Sequence, residues 1–421
     1  MADRLLGGIA VLAGGTAISQ AITVLAAPFL ARLNSPADFG RLGLLLSFVN
    51  VASVAVCLRF EVAIVTARTD REGAQLATLA MRLLPATTLV AAAVFAGLIL
   101  LHVGAYGELP AVWTLIPLLT LPAIGLAGVL RYWILRQQGY SSLAQLAMVQ
   151  GATRAGSQLV LGILHWGGAG LALGDAFGRI AGVVTLGSRE IPRILGRAGS
   201  LRGLTGPLFK RHWRFPAYSM PSSLLDSLAA ALPVPLIGAQ YGLHAAGEYV
   251  LVQTIIGLPV TLISGSVADV FHSRMAALAR TVPAEAGRLF SQTLRATAAI
   301  GAAIALAMAV LAPWIFPVVF GDEWATAGLL AVILSPRVFM QITVSPVSRV
   351  VYIFEGQRGK LLFDAAVICG TVGTLAAASL LELPFRLAIV LLVVSDVIAY
   401  AVYGIILARL TAAGTREVST R

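Results

Sequence analysis

Residues 83–101 read LLPATTLVAAAVFAGLILL without a single charge, and residues 300–311 read IGAAIALAMAVL in the same way. An apolar run of about 20 residues spans a hydrocarbon core of about 30 Å. In hydrocarbon every backbone polar group must be satisfied internally, which leaves helices and closed barrels as the spanning structures. A barrel needs short segments of alternating polarity, whereas these two stretches are apolar on all sides, so the barrel is excluded. Similar runs follow one another along the 421 residues, of which 58% are hydrophobic and 12% charged. That charge fraction is about half the roughly 25% usual for a soluble domain. The pattern predicts an all-α polytopic membrane protein with about twelve spans, at residues 9–31, 42–65, 83–101, 111–130, 143–164, 168–186, 216–238, 247–268, 296–316, 325–347, 362–381 and 387–408. The first of these is long enough to span and is read as an uncleaved helix rather than a signal peptide.

A net charge of +11 could indicate nucleic acid, but no basic run is interleaved with aromatics. The Lys and Arg residues punctuate apolar segments instead, and their positions report topology. If the N-terminus is cytoplasmic, that side collects twenty-three basic residues, from Arg4 through the Arg189–Arg214 group to Arg421, against only Arg32, Arg41 and Arg386 on the other. The positive-inside rule then places both termini in the cytoplasm. Cys57 and Cys369 sit in apolar stretches and imply no disulfide framework.

The basic segment 187–215 lies at the midpoint and reads as a cytoplasmic linker between two six-helix bundles, 1–200 and 201–421. Leu25, Pro28 and Gly40 recur at an offset of 207 as Leu232, Pro235 and Gly247. Each half holds an even number of spans, so the repeat is parallel, about an axis normal to the bilayer, with a substrate site expected between the halves. Chance matching of three residues is the competing explanation of the repeat.

Polar stripes run along three spans. Thr16, Ser19, Gln20 and Thr23 share one helical face, as do Ser219, Ser222, Ser223 and Asp226. The offset of 207 carries Thr16, Ser19 and Gln20 onto Ser223, Asp226 and Ser227. Either these faces line a wet cavity or the small hydroxyl residues allow close helix packing. On the fifth span Gln150, Arg154 and Gln158 form a third stripe.

Four Arg residues fall inside spans: Arg59, Arg154, Arg179 and Arg337. A charge at bilayer depth costs from about 2.5 to above 10 kcal/mol, so it survives only beside water, a partner or a ligand. Arg179 follows Asp175 by four residues, the spacing at which opposite charges meet on one helix. Arg59 and Glu61 are two apart and point to different sides of a regular helix, so they are not expected to form one site together. Arg59, Arg179 and Arg337 could alternatively lie near helix ends and snorkel. Converging guanidinium groups match phosphate oxygens in bidentate geometry, which makes a diphosphate the natural ligand. The substrate-binding candidates are therefore Arg59, Arg154, Arg179, Arg337, Gln20, Gln150, Gln158 and Ser223, and the ion-coupling candidates are Asp226, Glu61 and Asp175. The five His residues are scattered without metal-ligand spacing, and no Gly-rich phosphate loop or catalytic constellation is present. No enzyme, no cofactor and no metal is expected.

The chain resembles the polysaccharide flippases, the Wzx-type O-antigen and exopolysaccharide translocases of the superfamily that also contains multidrug and toxin extrusion transporters. The resemblance covers nearly its full length. It rests on Leu33-Asn34-Ser35-Pro36-Ala37-Asp38-Phe39-Gly40, Leu58-Arg59-Phe60-Glu61-Val62-Ala63-Ile64-Val65, Gly170-Leu171-Ala172-Leu173-Gly174-Asp175, Phe215-Pro216-Ala217-Tyr218-Ser219-Met220-Pro221-Ser222 and Phe320-Gly321-Asp322-Glu323-Trp324-Ala325-Thr326-Ala327-Gly328. It implies two six-helix bundles in a V, moving undecaprenyl-diphosphate-linked oligosaccharide from the cytoplasmic to the periplasmic leaflet of a bacterial inner membrane, with coupling to an ion gradient. Arg59 and Glu61 match a charged motif of the family. The partners expected are the lipid-linked substrate, the membrane and polysaccharide-assembly enzymes, with no nucleic acid and a monomeric protein. The competing readings are a drug or metabolite antiporter, a flippase for lipid-linked peptidoglycan precursor, and a membrane glycosyl-polymerase.

Overall fold

The computed structural model describes residues 2–199, 205–281, 283–354 and 356–419. Of the basic residues counted above, Arg202 and Arg421 lie outside the described residues, as do the side chains of Arg4, Arg280 and Arg416. The described chain is helical throughout and contains no strand. It forms two compact units, Met1–Gly247 and Glu248–Arg421.

The first unit holds α1 (Ala2–Leu33), α2 (Pro36–Val56), α3 (Phe60–Thr66), α4 (Asp70–Leu100), α5 (Ile116–Arg136), α6 (Tyr140–Ile163), α7 (Gly167–Ala198), α8 (Thr205–His212) and α9 (Met220–Ala231). The start of α10 (Pro233–Thr281) completes it. The remainder of α10 joins α11 (Pro283–Phe320), α12 (Ala325–Val344), α13 (Val350–Ile353), α14 (Gln357–Leu380) and α15 (Phe385–Ser419) in the second unit. There α11, α12, α14 and α15 pack side by side, and Phe271, Met275, Phe290, Val347, Tyr403 and Leu407 fill a buried core.

Among the described residues, ten stretches are long and apolar enough to cross a membrane. One of them, Phe215–Ala279, runs for 65 residues, about three times what one span needs, and is broken at Gly242 (φ 81°). That φ lies in the left-handed region where a Cβ is penalised, so a helix cannot pass through it and the stretch contains two spans. The 24-residue α6 is absent from the ten because its polar stripe lowers its hydropathy, although it packs against both α1 and α7. Counting it, and both parts of the long stretch, gives the twelve segments the sequence predicts.

Two local expectations are corrected. The second span is not one regular helix over 42–65. It stops at Val56 and restarts at Phe60, with Leu58 (φ 49°) and Arg59 (φ 61°) both left-handed. Each such non-glycine residue costs about 1–2 kcal/mol, partly offset where Thr87 Oγ1 donates to the freed Val56 carbonyl at 2.6 Å. The described part of the linker 187–215 is also largely helical rather than a loop. The helix α7 continues to Ala198 because Glu190 accepts from Trp133 Nε1 (3.2 Å) and pairs with Arg193 (2.6 Å), and α8 follows from Thr205.

The α2 N-terminus is fixed by a capping box in which Ser35 Oγ accepts from Asp38 N and Asp38 Oδ2 accepts from Ser35 N. Asp38 Oδ1 also accepts from Gly168 N at 2.8 Å, tying α2 to the start of α7. One turn into α2, Gly40 lies so close to the backbone of Leu243 that a Cβ would strike its carbonyl oxygen, and Gly247 meets the carbonyl of Pro36 in the same way. Pro36 and Leu243 are themselves 207 apart, as are Gly40 and Gly247. The contact is therefore reciprocal, and it makes a larger residue at either glycine of the pair sterically forbidden.

Candidate anion-binding site

The faces of α1, α6 and α7 meet around one buried carboxylate. The glycines on α7 allow the approach: Gly174 lies against Gln158, Gly178 against Arg154 and Gly182 against Gln150. Removing the side chain from one helix lets long polar side chains of the other lie flat on its backbone. Gln158 is buried there and donates to the Leu171 carbonyl at 2.8 Å, while Ser157 Oγ donates to the Gly174 carbonyl at 3.2 Å.

At the centre Asp175 is only 3% exposed. Its Oδ2 accepts from Arg179 Nε at 2.6 Å, and its Oδ1 lies 3.8 Å from Arg154 Nη1. Arg154 also donates from Nη2 to Thr23 Oγ1, which brings the α1 stripe into the cluster. Two guanidiniums share one carboxylate, so one positive charge is left over. The two arginine side chains keep partial access where the carboxylate does not, Arg154 being 32% and Arg179 25% exposed. Permanently charged, planar and partly exposed donors of this kind recognise phosphate oxygens.

Among the other sequence candidates, Gln20 is half-buried on α1, Ser223 half-buried and Asp226 exposed on α9, which packs on α2. Arg59 and Glu61 do meet, at 3.8 Å, because the helix break places Arg59 at the N-cap of α3. Glu61 Oε2 and Arg59 Nε are buried there without a hydrogen bond.

The second unit has its own cluster. Arg337 Nε pairs with buried Asp396 at 3.1 Å, and its Nη1 donates to Tyr249 OH at 2.8 Å. Here charge is balanced one to one. One turn after Arg337, Gln341 lines a cavity of about 350 Å³ together with Gln253, Thr261, Ser264, Ser345 and Gly257. Ser264 Oγ is buried in this region without a partner. The sequence reading missed this neutral cavity, whose signal was the occurrence of Gln253 and Gln341 inside otherwise apolar helices.

The model of the family described as polysaccharide biosynthesis protein matches residues 29–328. The chain belongs to that family. This polysaccharide biosynthesis protein also shares its fold with solved transporters. An inward-facing multidrug resistance MATE family transporter of the MOP superfamily superposes with a TM-score of 0.67 at 15% identity, covering 94% of this chain and 96% of that one. A MATE transporter from Vibrio cholerae gives 0.59 at 16% identity, covering 97% and 96%. A MOP superfamily transporter from Pyrococcus furiosus, whose binding pocket of reverse polarity suggests a different function for it, gives 0.59 at 15% identity, covering 97% and 96%. No curated protein sequence matches. The protein is thus a multi-pass membrane protein of the polysaccharide biosynthesis family with the MATE transporter fold, as the resemblance implied.

Proposed function

We propose that the protein is a flippase that moves undecaprenyl-diphosphate-linked oligosaccharide repeat units of an O-antigen or exopolysaccharide from the cytoplasmic to the periplasmic leaflet of the bacterial inner membrane, with both termini cytoplasmic. The observation that carries this reading is the surplus positive charge of Arg154 and Arg179 around the single buried Asp175. A diphosphate cannot cross hydrocarbon unaided, whereas the polyprenyl tail can stay in lipid, so the protein need only carry the head group. The amides and hydroxyls of the Gln253–Gln341 cavity suit neutral sugar hydroxyls, which both donate and accept. Ion coupling is assigned to Asp175, the carboxylate that competes with substrate for the two Arg residues, with Glu61 and Asp226 as further carboxylates. A proton moving down about 100 mV supplies about 2.3 kcal/mol, enough to bias such a cycle.

A drug antiporter of the same fold, carrying organic cations, is disfavoured because the cluster would repel its substrate. The deciding experiment is deletion of the gene followed by fractionation of lipid-linked intermediates. Complete repeat units stranded in the cytoplasmic leaflet support the flippase. Stranding on the periplasmic side indicates a polymerase, and accumulation of peptidoglycan precursor indicates that substrate instead.

A further inference from the structure

The start of α4 carries a second cationic site, distinct from the Arg154 cluster. A cavity of about 380 Å³ opens there, lined by Arg68, Thr69, Arg71, Glu72, Gln75 and Arg211. That volume falls within the roughly 300–1,000 Å³ of ligand pockets. Its one carboxylate is already engaged: Glu72 accepts from Arg68 N at 2.9 Å, lies 3.2 Å from Arg211 Nη1 and contacts His212 Nε2 at 3.2 Å. The neighbouring Asp70 pairs with Arg136 at 3.1 Å, and that same guanidinium caps the carbonyls of Ile64, Val65 and Ala67. The guanidiniums of Arg68 and Arg71 are exposed and have no acid partner among the described residues. Three cations against one occupied carboxylate leave two positive charges lining the cavity.

The opposite wall places this charge at the level of lipid head groups. Leu208 of α8 is buried, and Phe209 packs on Phe60 with ring centroids 5.3 Å apart, so α8 is seated on the bundle. Two residues past Arg211, the exposed Trp213 pairs with the exposed Tyr218 at 5.6 Å, immediately before the apolar helix α9. Exposed Trp and Tyr at the start of a span mark the membrane–water interface, and basic residues beside them attract anionic lipid. Near the far side, Gln75 Nε2 donates to the carbonyl of Ala198, the last residue of α7, at 3.5 Å.

We propose that this cavity binds a phosphate group presented on a lipid head group, held by Arg68 and Arg71 and closed by Arg211 of α8. Occupancy joins the end of α7, the start of α4 and the linker helix through one anion. The proposal does not depend on the flippase reading.

The full-length protein is reconstituted in neutral phosphatidylcholine nanodiscs, with or without phosphatidylglycerol, and retained lipid is measured by native mass spectrometry. Selective retention of phosphatidylglycerol is expected, reduced about tenfold in the Arg68→Ala/Arg71→Ala protein and largely kept in the Arg68→Lys/Arg71→Lys protein. Because both side chains are exposed, an unchanged melting temperature accompanies the loss. Equal retention by the wild type and the double Ala variant overturns the site. Full displacement of phosphatidylglycerol by millimolar inorganic phosphate overturns the lipid as the source and leaves a site for free phosphate.

Discussion

The two units bury the same pair of residue types and use them differently. Around Asp175 in the first unit, two guanidiniums face one carboxylate and keep a quarter to a third of their surface exposed. Around Asp396 in the second, one guanidinium meets one carboxylate and a tyrosine hydroxyl, with a neutral amide-lined cavity a turn away. A buried Arg is therefore not a functional signal by itself. What matters is whether its charge is already spent: a balanced, hydrogen-bonded pair holds helices in place, whereas a surplus charge is available to a ligand.

Breaking the balanced pair gives the largest expected effect. In Arg337→Ala the buried Asp396 loses its partner, costing about 3–5 kcal/mol, and membrane abundance should fall sharply on immunoblots. An Arg337→Leu/Asp396→Leu protein should recover abundance and still translocate. If it is abundant yet inactive, Arg337 handles substrate and the contrast between the units fails.

Arg154→Ala tests the other side. Abundance should hold while translocation drops about 100-fold, the loss of charge-assisted hydrogen bonds worth about 1.5–3 kcal/mol, and Arg154→Lys should restore little because a point charge lacks the planar fork. Normal surface polysaccharide in Arg154→Ala removes the cluster from the mechanism.

Asp175→Asn adds one net positive charge to the surplus. Pyrophosphate should bind the purified protein about fivefold more tightly, the factor that corresponds to the roughly 1 kcal/mol one more charge at contact distance is worth under water-like screening, while release slows and turnover falls. Weaker binding would mean that Asp175 only orients the two Arg residues.

The smallest effect is expected at the neutral cavity. Gln341→Leu should lower transport of oligosaccharide-bearing lipid about threefold, from loss of about one net hydrogen bond. Pyrophosphate binding should not change. An equal loss for both ligands would place the amide near the diphosphate.

Parts of the site were legible in the sequence. The four-residue spacing of Asp175 and Arg179 identified their pair, and the Gln150–Arg154–Gln158 stripe marked the face of α6 that packs on α7. That Arg154 shares the same carboxylate was not legible, because its position depends on glycines of α7 lying against α6. The meeting of Arg59 with Glu61 was hidden as well: Leu58 and Arg59 are ordinary residues in a left-handed conformation that no glycine or proline announces.

The solvent, the helical class and the approximate number of spans follow from the chain's residues alone, since apolar length and the spacing of charges act locally and need no partner. The sequence also held the repeat, in the offset of 207 that links Gly40 to Gly247. Which buried charges are balanced and which are left over was settled by tertiary packing alone, because it depends on distances of about 3–4 Å between side chains on different helices, and a surplus exists only once every neighbour is in place.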